Sequence, residues 1–276
     1  MLTAINLEAV QIERTRATVH IFLSRPASRN AMSLQMVAEL RQVLQDAEAT
    51  VGTPDAVRVV VLRGAGGHFC AGADLKDMAA ARMRAMQASA DVPDPIAEVN
   101  AAFGQLCVAY AHTPLAVVAV LEGTVMGGGF GLACVADVAI ASETANFRLP
   151  ETSLGMVPAQ IAPFLVERLG YSQAKRLAVT GGRLDAAAAL RLGLVHTVVD
   201  TADLQAELDK VLADILACAP GALAATKALM AQARLREPQD LVQPAAAIFS
   251  RAAQGPEGME GIAAFIQKRK PQWAMP

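Results

Sequence analysis

Two short runs of apolar residues constrain the fold more than any other feature of the sequence. VRVVVL occupies residues 57–62 between Pro54 and Gly64, and LAVVAVL occupies residues 115–121 after Pro114. Short runs that are rich in branched residues and lack polar alternation predict buried strands. Patterns of helical period lie between them, ending at residue 86 and running from 96 to 112. Strands that are separated by helices in this way predict an α/β fold.

The pattern of elements changes near residue 200. The chain opens as β-β-α-β, with paired strands predicted over residues 4–13 and 18–23 and with Ser33 at the N-cap of the first helix. Beyond residue 200 the pattern is almost wholly helical, with helices predicted over residues 204–217, 221–235, 241–251 and 257–268. We therefore expect a β/α core over residues 1–200 and a helical subdomain over residues 201–276.

Charge and hydropathy exclude several classes of partner. The 24 Lys and Arg residues against 26 Asp and Glu residues give a net charge of −2, which provides no electrostatic attraction for nucleic acid. The most apolar stretch, residues 115–141, is interrupted by Glu122 and Asp137, so it does not predict a membrane span. The first residues lack the pattern of a signal peptide. We expect neither nucleic acid nor a membrane as a partner.

Cysteine and histidine spacings predict neither disulfides nor a metal site. The four Cys residues contain no CxxC pair and the four His residues contain no HxxxH pair. Scattered thiols of this kind are typical of a reduced compartment, so a cytoplasmic location is expected.

Two glycine-rich turns are the strongest candidates for chemistry. CAGAD spans residues 70–74 and MGGG spans residues 126–129, and each is predicted to follow an apolar strand and to open a helix. The second turn is predicted to join the strand over residues 115–121 to a helix over residues 131–136. Such turns expose backbone N–H groups at a helix N-terminus, where negative charge is stabilised. Either turn alone is equally well a simple tight turn, but two that converge would form an oxyanion hole.

An ordered set of motifs resembles the enoyl-CoA hydratase/isomerase, or crotonase, family. The resemblance is carried by GGHFCAGADLKDM (66–78), the GGG turn and FRLPETSLGMVP (147–158). SRPASRNAMS (24–33), TGGRLDAAAALRLGLVHTVV (180–199) and FIQKRKPQW (265–273) support it in the family's order. The resemblance implies an α/β crotonase-like fold, a spiral of β-β-α units with a helical C-terminal trimerisation region. It also implies a homotrimer, or a hexamer made of two trimers.

The resemblance also implies site residues. The N–H groups of Ala73 and Gly128 are expected to bind the thioester oxygen of an acyl-CoA substrate as it becomes an enolate. CoA is part of that substrate, so no separate cofactor is expected. The residues expected to contact CoA or the acyl group in these loops are Ala27, Arg29, Ala31, Ala71, Asp74, Leu75 and Lys76. Arg29 and Lys76 are the candidate phosphate partners, and Asp74 is also expected to cap the helix that follows.

The sequence departs from the family where protons are transferred. Family hydratases carry two glutamates; one matches Glu151, which follows Pro150, whereas Gly131 stands at the other position. Glu151 is therefore the expected acid and base, with a pKa raised by an apolar pocket. Pro150 and Gly131 are expected to border the acyl group, and the missing side chain at Gly131 is expected to enlarge the pocket for a branched acyl chain.

Three alternative functions are compatible with these residues. The segments GGGFGLACVADVAIA and LPETSLGMVPAQIAPFLVERLG resemble the isohexenylglutaconyl-CoA hydratases of acyclic-terpene (citronellol and geraniol) breakdown. That resemblance favours a hydratase of branched enoyl-CoA, whose substrate carboxylate would partly replace the missing glutamate and pair with Arg148. An enoyl-CoA isomerase that uses Glu151 alone is the first alternative. A crotonase-like binding protein without activity is the second, and the retention of Ala73, Gly128 and Glu151 argues against it.

Overall fold

The structure is a computed structural model that describes residues 7–87 and 93–274. The strands are β1 (Val10–Thr15), β2 (Thr18–Leu23), β3 (Val59–Gly64), β4 (Ala116–Leu121), β5 (Thr124–Met126), β6 (Val138–Ser142), β7 (Asn146–Arg148), β8 (Arg183–Asp185) and β9 (Thr197–Val199). The helices are α1 (Leu34–Glu48), α2 (Leu75–Gln87), α3 (Pro95–His112), α4 (Gly128–Val135), α5 (Ala162–Thr180), α6 (Ala186–Arg191), α7 (Leu204–Ala217), α8 (Pro220–Ala233), α9 (Pro238–Gln254) and α10 (Pro256–Ile266).

The larger sheet is covered by helices on both faces. Its strand order is β1-β2-β3-β4-β6-β9, and only the β1–β2 pair is antiparallel. Helices α1 and α3 pack on one face, while α7 packs Leu204 and Leu208 on the other. All six residues of β4 are buried, which explains why its sequence shows no polar alternation. The predicted α/β class and the strands predicted over residues 57–62 and 115–121 are confirmed. Residues 4–6 of the first predicted strand lie outside the described residues.

A smaller sheet supports the site and corrects one prediction. Its order is β5-β7-β8, with β5 and β7 parallel. The GGG turn follows β5 and not the strand over residues 115–121, and the helix after it begins at Gly128 and not at Gly131. Both β5 and β8 were missed because a strand of three residues shows no periodicity. Since β5 and β7 are parallel neighbours, the segments that follow them emerge at the same edge of the sheet.

Ser33 caps the first helix as predicted. Its hydroxyl oxygen accepts a hydrogen bond from the Met36 N–H at 3.2 Å, and α1 begins at Leu34. The cap satisfies one of the N–H groups that a helix N-terminus leaves unpaired.

The C-terminal helices are less buried than the rest of the described chain. Helices α8, α9 and α10 together bury only Leu241 and Ala264 among their residues. The division at residue 200 stays a prediction. Among the described residues, no single helix is long and apolar enough to cross a membrane, although Thr201–Ala217 and α8, bent by 97°, meet the length and composition requirement together.

Candidate active site

A cavity of about 640 Å³ lies where the two glycine turns meet. Its walls come from the loop before α1, the start of α2, one face of α3, the GGG turn and residues 150–161. Most of the predicted site residues line it, namely Ala31, Ala71, Ala73, Asp74, Leu75, Lys76, Gly128, Pro150 and Glu151. The size falls within the range of small-molecule sites.

The two glycine turns are joined through β5. Cys70 exchanges backbone hydrogen bonds with β5, donating to Thr124 O and accepting from Met126 N–H, each at 2.9 Å. The turns approach so closely that a Cβ added at Gly127 would stand 3.4 Å from the Gly72 Cα. Gly127 has φ 48° and ψ −115°, in a region that residues with a side chain rarely adopt. The expected convergence of the two turns is therefore present.

Each turn contributes to the cavity wall one residue whose backbone N–H is a candidate donor, Ala73 and Gly128. Within residues 7–87 and 93–274, neither the Ala73 N–H nor the Gly128 N–H donates to a protein acceptor. Gly128 is the first residue of α4, where no partner exists within the helix. Ala73 is held by its neighbours, since Met32 N–H donates to Gly72 O at 2.7 Å and Asp74 N–H donates to Met32 O at 3.0 Å. Two fixed, free donors are what an oxyanion hole requires.

Glu151 lies beside the GGG turn. It follows β7 and Pro150 and begins a short 3-10 helix, Glu151–Leu154. A Cβ added at Gly127 would stand 3.1 Å from Glu151 Oε1, so the carboxyl reaches the GGG turn. Its other oxygen, Oε2, is buried without a hydrogen-bond partner. Burial raises the pKa of this carboxyl above its ordinary value of 4.5, and the Glu151 backbone N–H offsets part of the rise. The expected direction of the pKa shift is confirmed.

The expectation that Gly131 enlarges the cavity is wrong. Gly131 is buried and does not line the cavity. A Cβ added there would stand 3.1 Å from Phe103 Cζ and 3.2 Å from Ile161 Cγ1. An aromatic ring of α3 and the residue before α5 therefore pack closely against Gly131. A missing side chain makes room only where nothing else packs into it.

Asp74 is bonded through both carboxylate oxygens to groups that fix the local structure. Its Oδ1 accepts from the Lys76 N–H at 2.8 Å, and its Oδ2 forms an ion pair with Arg25 Nη2 at 2.6 Å. Burial alone would raise the pKa of Asp74, but the bonds from Lys76 and Arg25 outweigh it, so the pKa is lowered. Asp74 therefore caps the start of α2, as expected, and fixes the loop before α1.

Ala27 and Arg29 lie outside the cavity wall at exposed positions. Arg29 has φ 49° and contributes its carbonyl, which accepts from the Ala71 N–H at 2.9 Å. The adjacent Asn30 is buried, and its amide donates to Ala65 O and His68 O. These bonds hold the two predicted CoA loops together. The contacts of Ala27 and Arg29 with CoA stay predictions.

The expected role of Arg148 finds no support in the geometry. Arg148 does not line the cavity, and its Nε is buried without a partner. Its carbonyl accepts from the Gly127 N–H at 3.1 Å, so Arg148 supports the GGG turn through its backbone. A strand residue beside Phe147, which is buried in the core, points to the opposite face of its sheet.

One wall of the cavity was missed in the sequence. It is formed by α3 and by the segment after Glu151, and its members are Val99, Asn100, Phe103, Leu154, Met156, Val157, Pro158, Ala159, Gln160 and Ile161. One signal was available, because Gly104 interrupts the pattern of α3 and a glycine inside a helix often has a packing reason. The described residues contain no group of three or more His, Cys, Asp or Glu side chains that would hold a metal ion.

Comparison with known proteins identifies the family of the chain. The sequence profile of the enoyl-CoA hydratase/isomerase family matches residues 13–276. The chain belongs to that family. AtuE of Pseudomonas aeruginosa is 50% identical, with a TM-score of 0.90 over 97% of this chain and 100% of that one. An enoyl-CoA hydratase/isomerase of Marinobacter aquaeolei is 48% identical, with the same TM-score over 97% and 99%. The enoyl-CoA hydratase AFT6-1 of Alternaria alternata is 32% identical over 94% of this chain and 82% of its own.

Family membership confirms the expected crotonase-like fold and an acyl-CoA thioester as the class of substrate. The chain is an enzyme of the enoyl-CoA hydratase/isomerase family. Its site combines two backbone N–H groups that have no partner in the described residues with one carboxyl whose pKa is raised. Such a set can stabilise an enolate and carry a proton to or from a carbon beside it.

Proposed function

We propose that this enzyme is a hydratase that adds water across the 2,3 double bond of a branched enoyl-CoA. The water oxygen bonds to C3, and a proton passes through Glu151 to C2. Between these steps the negative charge rests on the thioester oxygen, which accepts from the Ala73 and Gly128 N–H groups. Each such donor contributes about 3 kcal/mol to stabilising the charge. No cofactor takes part, because CoA is carried by the substrate.

One observation carries the proposal. The Glu151 Oε2 is buried without a partner in the wall that also presents the two free N–H groups. A carboxylate in that position is costly for the fold. The raised pKa of Glu151 lies closer to neutral pH than an ordinary carboxyl pKa does, and a group with such a pKa can both accept and donate a proton efficiently. These features support a working acid/base and argue against the reading of a binding protein without activity.

We propose isohexenylglutaconyl-CoA, an intermediate of acyclic-terpene (citronellol and geraniol) breakdown, as the substrate. The support is the resemblance of two segments to that subgroup, together with an apolar wall that includes Phe103, Met156 and Ile161. Room for the branch lies between α3 and residues 154–161, and not at Gly131.

Double-bond isomerisation is the second candidate. The observation that favours it is the close packing of Phe103 and Ile161 around Gly131, where the family carries a second glutamate. Glu151 alone can move a proton between C2 and C4 of a common enolate.

We also propose a homotrimer, or a hexamer of two trimers, in the cytoplasm. Phe249 of α9 and Phe265 of α10 are 75% and 86% exposed, and apolar surface of this kind is usually covered by a partner. The four cysteines are free thiols, in keeping with a reducing compartment.

Mass spectrometry of the acyl-CoA products tests the function. The wild-type protein and Glu151→Gln are each incubated with crotonyl-CoA, a 3-enoyl-CoA, 3-methylglutaconyl-CoA and isohexenylglutaconyl-CoA. We expect a mass gain of one water on the branched glutaconyl substrates, and a decrease of about 100- to 10,000-fold in Glu151→Gln because its amide cannot carry the proton.

Glu122→Gln is the matched control, because Glu122 is half-buried but lies outside the cavity wall. A shifted double bond without a mass gain would replace the hydratase by the isomerase. Turnover in Glu151→Gln equal to that of Glu122→Gln would remove Glu151 from the mechanism.

A further inference from the structure

Two amide side chains interrupt the apolar wall of the cavity. Asn100 lies on α3, Gln160 lies just before α5, and the Gln160 Nε2–H donates to Asn100 Oδ1 at 2.7 Å. Both side chains line the cavity. Among the described residues that α3 and residues 154–161 contribute to this wall, they are the two that are polar.

The fold makes space for this pair. A Cβ added at Gly104 would overlap Gln160 Oε1 and stand 2.6 Å from Gln160 Cδ. The amide of Gln160 therefore lies against the backbone of α3, where the absence of a Cβ at Gly104 leaves room for it. Glycine is a poor helix former, so its presence in the middle of α3 is explained by the placement of Gln160.

The Asn100–Gln160 pair has N–H donors that are not used between the two amides. Two primary amides carry four N–H groups, and one of them is used between Gln160 and Asn100. Three N–H groups remain whichever way the two amides are oriented, because reversing both leaves the same count. The pair therefore presents donors to the cavity, and its best complement is a group with several acceptor sites. A carboxylate offers about four lone-pair sites and no donor, whereas a hydroxyl offers two and a donor.

The position of the pair gives the place of that group on the substrate. Phe103 contacts the GGG turn, since a Cβ added at Gly128 would stand 3.3 Å from its ring. Asn100 precedes Phe103 by three residues and shares its face of α3, about 4.5 Å further along the helix axis. With the thioester oxygen bound at the Gly128 N–H, as proposed, the amides stand about one helical turn away from it along α3.

We propose that Asn100 and Gln160 form a specificity subsite that binds a carboxylate carried on the acyl chain away from the thioester. The inference rests on the proposed function, whose substrate already carries such a carboxylate, and adds the residues that bind it. It assigns recognition of that carboxylate to two neutral amides, and not to Arg148.

Calorimetric binding of saturated acyl-CoA tests the subsite without any turnover. Glutaryl-CoA and its methyl ester differ only in the charge of the far end, and neither has a double bond to hydrate. We expect the wild-type protein to bind glutaryl-CoA about 10- to 100-fold more tightly than the ester. Asn100→Asp and Gln160→Glu keep the shape but replace donors by a charged acceptor, so each should abolish or reverse this ratio.

Gln105→Glu is the matched control. It places the same added charge on α3 at an exposed residue outside the cavity wall, and the ratio should stay at its wild-type value. Gly104→Ala is the second variant; by displacing Gln160 it should lower the ratio without adding any charge. Circular dichroism confirms that each variant is folded.

Equal binding of glutaryl-CoA and its ester by the wild-type protein would overturn the subsite. So would a ratio that Asn100→Asp and Gln160→Glu leave unchanged. Failure of the proposed hydratase activity is a separate result, because it is observed with unsaturated substrates and does not affect the binding ratio.

Discussion

The two sides of the cavity hold their carboxylates in opposite ways. On the side formed by the loop before α1 and the start of α2, both oxygens of Asp74 are bonded, one to the Lys76 N–H and one to Arg25. On the opposite side, Glu151 Oε2 is buried with no partner. Burial acts to raise the pKa of both groups. The bonds around Asp74 reverse that effect, whereas Glu151 has too few bonds to do so.

The difference separates a structural carboxylate from a chemical one. A carboxylate that accepts hydrogen bonds and an ion pair stays ionised over a wide pH range and fixes its loop. A carboxylate left short of partners costs stability, but it can change its protonation state close to the working pH. Position in the cavity alone would not distinguish the two, because both line it.

After the loss of the Glu151 carboxyl itself, the largest effect is expected where the GGG turn meets Glu151. In Gly127→Ala, the added Cβ stands 3.1 Å from Glu151 Oε1 and the residue must keep φ 48°. We expect kcat to decrease about 100- to 1000-fold because the carboxyl and the Gly128 N–H both move from their places, with a smaller change in KM. Steady-state kinetics on the substrate identified by mass spectrometry measures both constants.

Gly52→Ala controls for backbone strain alone. Gly52 has φ 84°, has no atom within 4 Å of an added Cβ, and lies outside the cavity wall. Its kcat should equal that of the wild-type protein even if its stability falls. If kcat fell no further in Gly127→Ala than in Gly52→Ala, the turn would not position Glu151.

The two sides of the cavity also differ in how well the sequence predicted them. The glycine turns, the Ser33 cap and the Asp74 cap are local features, formed by residues that are neighbours in the chain, so patterns and motifs predict them. Asn100 and Gln160 meet only because α3 packs against the segment before α5. No local pattern contains that information, and this wall of the cavity was therefore missed.

Gly131 illustrates the same limit. The absence of a glutamate was read correctly from the chain, but the inference that its volume is open was wrong, because Phe103 fills it. A deleted side chain in a packed protein is usually compensated by another residue that can come from anywhere in the sequence.

A smaller effect is expected from restoring a second carboxylate. Gly131→Glu must displace Phe103 and Ile161, so we expect its free energy of unfolding to fall by about 1–3 kcal/mol. Adding Phe103→Ala opens the space, so the double variant should lose less than the sum of the two single losses. Urea denaturation of the four proteins measures this coupling.

Gly131→Ala separates volume from charge, because it adds only the Cβ. Additive losses in the double variant would mean that Phe103 does not occupy the place of the missing glutamate. If the coupling is present, the double variant places two carboxyl groups in the site, and its hydration of crotonyl-CoA should exceed that of Phe103→Ala.

The smallest effects are opposite dependences of stability on pH. Because its pKa is raised in the folded state, Glu151 opposes folding increasingly as pH rises above about 4.5. The Tm of Glu151→Gln minus that of the wild-type protein should therefore become more positive as pH rises from 4 to 8.

The pKa of Asp74 is lowered, so Asp74 stabilises the fold above about pH 3.8 and loses that effect as pH falls. The deficit in Tm of Asp74→Asn should shrink at acidic pH.

Calorimetric scans across this pH range measure both trends, and each kcal/mol corresponds to about 2–4 °C for a chain of this size. The double variant is the control: Asp74 and Glu151 have no common hydrogen-bond partner, so their shifts in Tm should add. Trends of the same sign in the two single variants would mean that both carboxylates are held alike. The hydrogen bonds around each carboxylate would then not distinguish the catalytic group from the structural one.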